Sequence, residues 1–327
     1  MQSPKFSIIV PMYNVEKFIA RALESAINQS FKDIEIICVD DCGQDKSIEI
    51  AKEFAKKDER IKIVQNERNL GTFAARNNGA LSAKGEYLLF LDSDDYLELK
   101  ACEILNDTLL HYKKQNICLD ILGFNYHKDN EIQDITKLHH STPAHHFHSK
   151  FLINKPIYTS QQFLLQALTQ SPVNWTLCNK TYRKSCYIKS LKLFDFNDKL
   201  VMAEDVLAFF TTALHCKTCA QISPYLYVYC TNPNSTTQDL SANKLKNNIQ
   251  NQLFVRDKII EICNKFGDLE RILGQICSIN LNISVLNQQR MLKKSFLTYL
   301  ATSLYKKYLR CKEKDLLKQV NVALRAQ

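Results

Sequence analysis

Glycine and proline are scarce, with seven of each in 327 residues. A collagen-like, linker-like or disordered chain would need far more of them, or far fewer apolar residues than the 45% present. No apolar stretch approaches the ~18 residues that a bilayer-spanning helix requires. The opening segment MQSPKFSIIVP lacks the basic region and long apolar run of a secretory signal. These absences predict a soluble, intracellular protein. No second CxxC or spaced His pair joins Cys216 and Cys219 to complete a zinc site, so the twelve cysteines read as reduced thiols that pack as small hydrophobes. No GxGxxG follows the first apolar run, which argues against a nicotinamide dehydrogenase.

What is present alternates. At ~150 residues per domain the length suits one large domain or two smaller ones. Residues 6–10 (FSIIV) read as a buried strand ended by Pro11. Asn14 stands at an N-cap position, and Val15, Phe18, Ile19, Ala22, Leu23, Ala26 and Ile27 repeat at helical spacing. IEIICVD (34–40) predicts a second strand, Lys46 to Lys57 a helix, and IKIVQ (61–65) a third strand. The Asn69-Leu70-Gly71 turn opens a helix to Ala83, and YLLFLD (87–92) is a fourth strand. This βαβα order predicts a mostly parallel, Rossmann-like sheet flanked by helices, with ligands beyond the carboxyl ends of the strands. Further on, the pattern predicts a helix from 97 to Gln115, a strand at 118–126, helices at 160–169 and 204–215, a strand at 225–229 and helices beyond 240.

Charge is local. Residues 281–327 carry ten Lys or Arg against Glu313 and Asp315, so this tail holds nearly all of the net +9. Within it Phe296, Leu300, Leu304 and Tyr308 form a stripe, with Leu297, Ala301, Tyr305 and Leu309 beside it and Lys293, Lys294, Lys306, Lys307 and Arg310 flanking. The stripe suits either docking on an anionic membrane or packing on the rest of the chain. No RRM, KH or zinc-finger signature points to nucleic acid. Five of the eight histidines fall between His139 and His148, around Pro143, which reads as a loop between two halves of a cleft.

Two strand ends concentrate acids: Asp40-Asp41 and Asp92-Ser93-Asp94-Asp95. Such carboxylates need partners, because burying them unpaired is costly. Asp94 or Asp95 could cap a helix beginning near Leu97, or the group could hold a hard divalent ion on a diphosphate. Glu204-Asp205 opens a helix rich in Val206, Leu207, Phe209 and Phe210, where the helix dipole also favours an acid.

Several pieces together resemble family 2 glycosyltransferases of the glycosyltransferase A (GT-A) fold: SIIVPMYNVEKFIARALESAINQSFKDIEIICVDD, Asp45, NLGTFAARNNGALSAKGEYLLFLDSDD and Glu204-Asp205. The resemblance is dense over residues 5–100 and sparser to 236. It implies a nucleotide-sugar half at 1–100, an acceptor and catalytic-base half at 101–238 and a basic helical region at 239–327. Pro11 and Tyr13 would line the base pocket, and Asp41 would read the uracil edge of a UDP-sugar. Arg76 would sit against base or diphosphate, a surface salt bridge being its bland alternative. Asp92, followed by Ser93, would hold the ribose, Asp94 would carry Mn2+ or Mg2+, and Asp95 would be structural. Asp205 would be the base that deprotonates the acceptor hydroxyl, inverting the anomeric centre, with Glu204 at its side.

Two departures stand out. Asp41-Cys42-Gly43-Gln44 replaces the common Asp-Asp-Gly-Ser, and Cys230 occupies the place of an Arg. The resemblance then leaves the diphosphate to Lys180 or Arg183, with Asn234, Ser235 and Thr236 near phosphate or acceptor. It implies an enzyme that uses a glycan or lipid-linked acceptor in surface polysaccharide or lipopolysaccharide synthesis. The setting would be the bacterial cytoplasm, at the inner face of the membrane. An inactive nucleotide-sugar-binding subunit is the alternative.

Overall fold

The computed structural model describes residues 3–129, 156–169, 174–195, 200–232, 240–292 and 296–326. The histidine-rich segment and Asn234, Ser235 and Thr236 lie outside the described residues.

The predicted βαβα start forms. β1 (Phe6–Met12) and β2 (Ile34–Asp40) are buried along their whole lengths, as their continuous apolar runs require of central parallel strands. β3 (Ile61–Gln65) extends the sheet beyond β2, and β4 (Tyr87–Phe90) pairs with β1 on the other side. Between them run α1 (Ile19–Ile27), α2 (Ser47–Lys57) and α3 (Thr72–Ser82). β1 continues past its expected stop, because pairing with β4 ends at Ile9 and leaves Pro11 opposite only Val39 of β2.

Beyond β4 come β5 (Tyr96–Leu97), α4 (Ala101–Lys114), β6 (Ile121–Asp129), β7 (Ile157–Tyr158), α5 (Ser160–Thr169), β8 (Lys180–Arg183) and α6 (Lys184–Ser190). α7 (Glu204–Ala213) and β9 (Cys219–Cys230) follow. The sheet has nine strands in the order β3-β2-β1-β4-β8-β6-β9-β5, with β7 also on β9. β8 runs against β4 and β6, and β5 and β7 run against β9, so six strands point one way and three the other. The fold is a mixed, mostly parallel α/β sheet. It closes with α8 (Ala242–Cys263), α9 (Asp268–Leu292) and α10 (Phe296–Ala326), the helical C-terminal region foreseen from the pattern.

Two local readings are corrected. Asn14 does not cap α1: it takes a left-handed φ of 54° and its side-chain oxygen accepts the Gln44 N–H at 2.7 Å, so the helix starts only at Ile19. Asp94 and Asp95 cap nothing either, because Tyr96 and Leu97 are drawn into the sheet opposite Val228 and Tyr227 and α4 begins at Ala101.

Candidate active site

The carboxyl ends of β1, β2, β4, β6 and β9 share one edge of the sheet, and the acids gather there. Three of the four left-handed non-glycine residues among those described flank this edge: Asn14 and Cys42 after β1 and β2, and Ala203 just before Glu204. Backbone held in such conformations clusters at functional sites. Cys42 takes a left-handed φ of 59°, a turn conformation that favours glycine. Its N–H donates to Asp40 Oδ1 at 3.1 Å and its thiol reaches the Asn66 carbonyl at 3.1 Å. Asp45 pins the neighbouring loops, taking the N–H groups of Glu16 at 2.8 Å and Ser47 at 3.0 Å.

Asp41 is buried. Its carboxylate accepts from Asn66 Nδ2 at 2.7 Å and from the backbone N–H groups of Leu70 and Gly71, both at 2.8 Å. It thereby fastens the loop that launches α3, whose leading Gly71 needs its φ of 88°. Tyr13, at the end of β1, is 47% exposed, whereas Pro11 is buried inside the strand. Only Tyr13 of that pair offers an open ring to a base.

Arg76 joins the two halves of the site. Its guanidinium is 4% exposed and reaches Asp92 Oδ1 at 2.6 Å, Asp205 Oδ1 at 2.7 Å and Glu204 Oε1 at 3.3 Å. A surface salt bridge is thus excluded. Asp92 also receives the Cys178 thiol at 3.3 Å, and Asp205 Oδ2 receives the Leu177 N–H at 3.3 Å. Burial and the adjacent Asp205 push Glu204 up to about 7, against the pull of Arg76.

At the end of β4, Ser93 is buried and Asp94 Oδ2 accepts from Asn232 Nδ2 at 2.9 Å, while Arg21 donates to the Asp94 carbonyl. Burial, and then Asp92, hold the Asp94 carboxyl above the usual range. Asp95 is internal, as expected. It takes the Tyr227 hydroxyl at 2.6 Å and the Cys230 N–H at 2.7 Å, and Tyr227 in turn accepts the Asp92 N–H at 3.2 Å.

Lys180 and Arg183 are not available as phosphate clamps. Lys180 is fully buried, donating to Asn174, Thr176 and Asn179 and lying 4.8 Å from the Phe209 ring, and burial pushes it down to about 7. Arg183 lies at the far end of β8, opposite Tyr87 at the start of β4, where it pairs with Asp120 at 2.9 Å. Antiparallel β8 carries it to the wrong edge. Cys178, Tyr227, Asn232 and Arg21 were not singled out in the sequence. Arg21 lies in the first resembling segment, Tyr227 in the strand expected at 225–229 and Asn232 two residues before Asn234, whereas Cys178 lies in no marked segment.

On an open α/β sheet the crevice beyond the carboxyl ends of the strands is where ligands bind, and the acids gather there. Residues 7–170 match the family description "Glycosyl transferase family 2". The chain is 31% identical over 286 residues to the uncharacterized glycosyltransferase EpsJ of Bacillus subtilis, covering 88% of this chain and 76% of that protein. A Campylobacter jejuni GalNAc(5)-diNAcBac-PP-undecaprenol beta-1,3-glucosyltransferase is 36% identical over 141 residues, which is 39% of this chain and 46% of that one. S. aureus TarS 1-349 in complex with UDP-GlcNAc superposes with a TM-score of 0.61 at 24% identity, spanning 98% of this chain and 92% of that one. The chain belongs to glycosyltransferase family 2, and it is a glycosyltransferase of the GT-A type.

Proposed function

We propose that the enzyme transfers a sugar, with inversion, from a UDP-sugar to a hydroxyl of a lipid-linked or growing surface glycan. The observation that carries this reading is the Arg76 bridge. One guanidinium ties Asp92, at the end of the donor-side strand, to Asp205 at the start of α7. In this reading Tyr13 supports the uracil ring. Asp41 orders the base end of the pocket through the loop it anchors, keeping about one of its four acceptor positions for the ring N–H. Asp92 faces the ribose. Asp205 accepts the proton of the attacking acceptor hydroxyl, and Arg76 and the Leu177 N–H hold it in place for that step. UDP-GlcNAc in the TarS complex and the undecaprenol-linked substrate in the Campylobacter enzyme's name are consistent with this donor and acceptor.

The residues present fit a hard divalent ion. Asp94 is a partly buried carboxylate with raised proton affinity, beside a second acid, and Mg2+ or Mn2+ takes one or two carboxylates plus phosphate and water. Asp94 would hold it, and the ion when bound supplies charge neutralisation on the departing diphosphate. The need is accentuated because Lys180 and Arg183 are committed elsewhere.

A screen of UDP-sugars for hydrolysis and transfer, with and without Mn2+, tests the proposal. Asp205→Asn is expected to lower transfer by ~10²–10⁴-fold while UDP binding persists. Turnover retained in Asp205→Asn would remove that residue from its role. UDP binding without turnover in the parent protein would identify an inactive binding subunit instead.

A further inference from the structure

The edge of the sheet away from the acids carries a different constellation. Asp120 immediately precedes β6, Cys216 lies in the turn between α7 and β9, and Cys186 stands in α6 just after β8. Three segments remote in sequence deliver one oxygen and two sulfurs to points within 4.8 Å of one another. Both thiols are 6% exposed. It is the one such three-ligand group among the described residues. We propose that Asp120, Cys186 and Cys216 bind a thiophilic divalent ion, Zn2+ in the first instance, as a structural clasp independent of the donor pocket.

Ligand chemistry selects the ion. Two thiolates with one carboxylate favour zinc, whereas the all-oxygen set around Asp94 favours magnesium or manganese. Zn–S bonds of about 2.3 Å place tetrahedral neighbours just under ~4 Å apart, so the cluster needs to contract by ~1 Å at most. Asp120 is already oriented from outside, as metal-binding carboxylates commonly are. Its Oδ1 takes Arg183 Nε at 2.9 Å, and its Oδ2 takes the N–H groups of Lys217 at 2.8 Å and Thr218 at 3.3 Å. Charge also closes. Two thiolates and a carboxylate against a divalent ion leave one negative charge, and the Arg183 guanidinium lies beside it. A water completes four-coordination, as in sites with three protein ligands.

The clasp would join the starts of β6 and β9 to α6, that is, the half of the sheet that presents α7. Cys216 and Cys219 alone form an incomplete zinc motif. The missing ligands come from the fold, which a search for paired motifs cannot see.

The test uses the full chain with the exposed Cys118 and Cys311 changed to Ser, reduced and stripped with chelator. Titration with Co2+ should reach one equivalent, with tetrahedral d–d bands and thiolate-to-cobalt charge transfer that Zn2+ abolishes. Cys186→Ser and Cys216→Ser should each remove about half of the charge-transfer intensity and weaken Co2+ binding at least ~10-fold. A measurement on the unsubstituted cluster guards against variants that fail to fold. One equivalent of Zn2+ should protect Cys186 and Cys216, mapped by mass spectrometry, from N-ethylmaleimide. Sub-stoichiometric metal, absent charge transfer, or equal labelling with and without Zn2+ would each overturn the proposal. Because the clasp shares no residue with the donor pocket, its failure says nothing about UDP-sugar use.

Discussion

Asp95 shows how a single side chain can be legible in sequence and still misjudged in setting. The resemblance implied a structural role for it, but its partners Tyr227 and Cys230 lie 132 and 135 residues away. Burial, then Asp92 and Asp94, push its carboxyl up to about 8 from an ordinary 3.8. The folded chain thus retains a proton that the unfolded chain releases, and Glu204, pushed up to about 7, behaves alike. A raised carboxyl pKa adds stability that is complete below the unfolded value and is lost as pH climbs through the folded one. Without divalent metal, the melting temperature should therefore fall between pH 5 and pH 8. Asp95→Asn should flatten that slope while keeping an acceptor for Cys230 and a polar partner for Tyr227. Scanning fluorimetry across that range checks it, and an unaltered slope in the variant would take Asp95 out of the account. Lys180 and Arg183 teach the opposite lesson. The loss of an Arg at Cys230 pointed to them as substitute cations for a diphosphate, but one is sealed under Phe209 and the other faces the far edge. Nothing in KTYR reveals which way the strand runs.

Elements were most legible where burial is simple. β1, β2 and the helices after them follow from apolar runs and helical spacing, because both faces of the central strands are covered. β8 and α6 were missed. Their KTYRKSCYIKS run mixes a buried lysine with short pieces whose identity comes from wedging between β4 and β6. α4 was drawn too long because pairing of Tyr96 and Leu97 with β9 overrides helical preference. α3 is the element on which the site depends most, since it carries Arg76 and is fixed at its start by Asp41. It lies so near the sheet that a β-carbon on Gly79 would sit 2.6 Å from Ile9 Cγ2 and 3.0 Å from Val39 Cγ2. Gly79→Ala should therefore push α3 outward, costing ~1–3 kcal/mol through overpacking and shifting Arg76 away from Asp92 and Asp205. Urea unfolding with parallel turnover assays reads both effects. A midpoint and rate equal to the parent's would mean that α3 floats on the sheet and does not position the guanidinium.

At the scale of the whole molecule, the charge tail and the fold answer each other. No described helix is long and apolar enough to cross a membrane. α10 packs on α9 and buries Thr302, Leu309, Glu313, Leu316 and Val320. Of the described residues in the sequence pattern, Leu309 belongs to that face, but Leu300, Leu304 and Tyr308 do not. Leu300 is 46% exposed, Leu304 63% and Tyr308 56%, with Tyr299 and Tyr305 beside them. The packing reading thus holds for one side of the helix, while the apolar stripe lies exposed on the other. An apolar ridge with Lys306 and Lys307 alongside has the make-up of a surface-lying membrane anchor, and a lipid-linked acceptor would be met there. Near an anionic bilayer a free lysine contributes ~1 kcal/mol, so Lys307 should favour anionic over neutral vesicles by ~5-fold at low salt, and Lys306 adds less because it donates to Asn287 of α9. Arg310 contributes less, being paired with Glu313 at 2.6 Å. Replacing Leu300, Leu304 and Tyr308 together by Ser leaves the face on α9 untouched, so the variant should fold as the parent does while losing most sedimentation with phosphatidylglycerol vesicles. Its hydrolysis of a UDP-sugar in solution should be unchanged, while transfer to a vesicle-borne acceptor falls. If parent and variant sediment equally at every lipid composition, the ridge is ordinary solvated surface, and the acceptor must reach the cleft without help from α10.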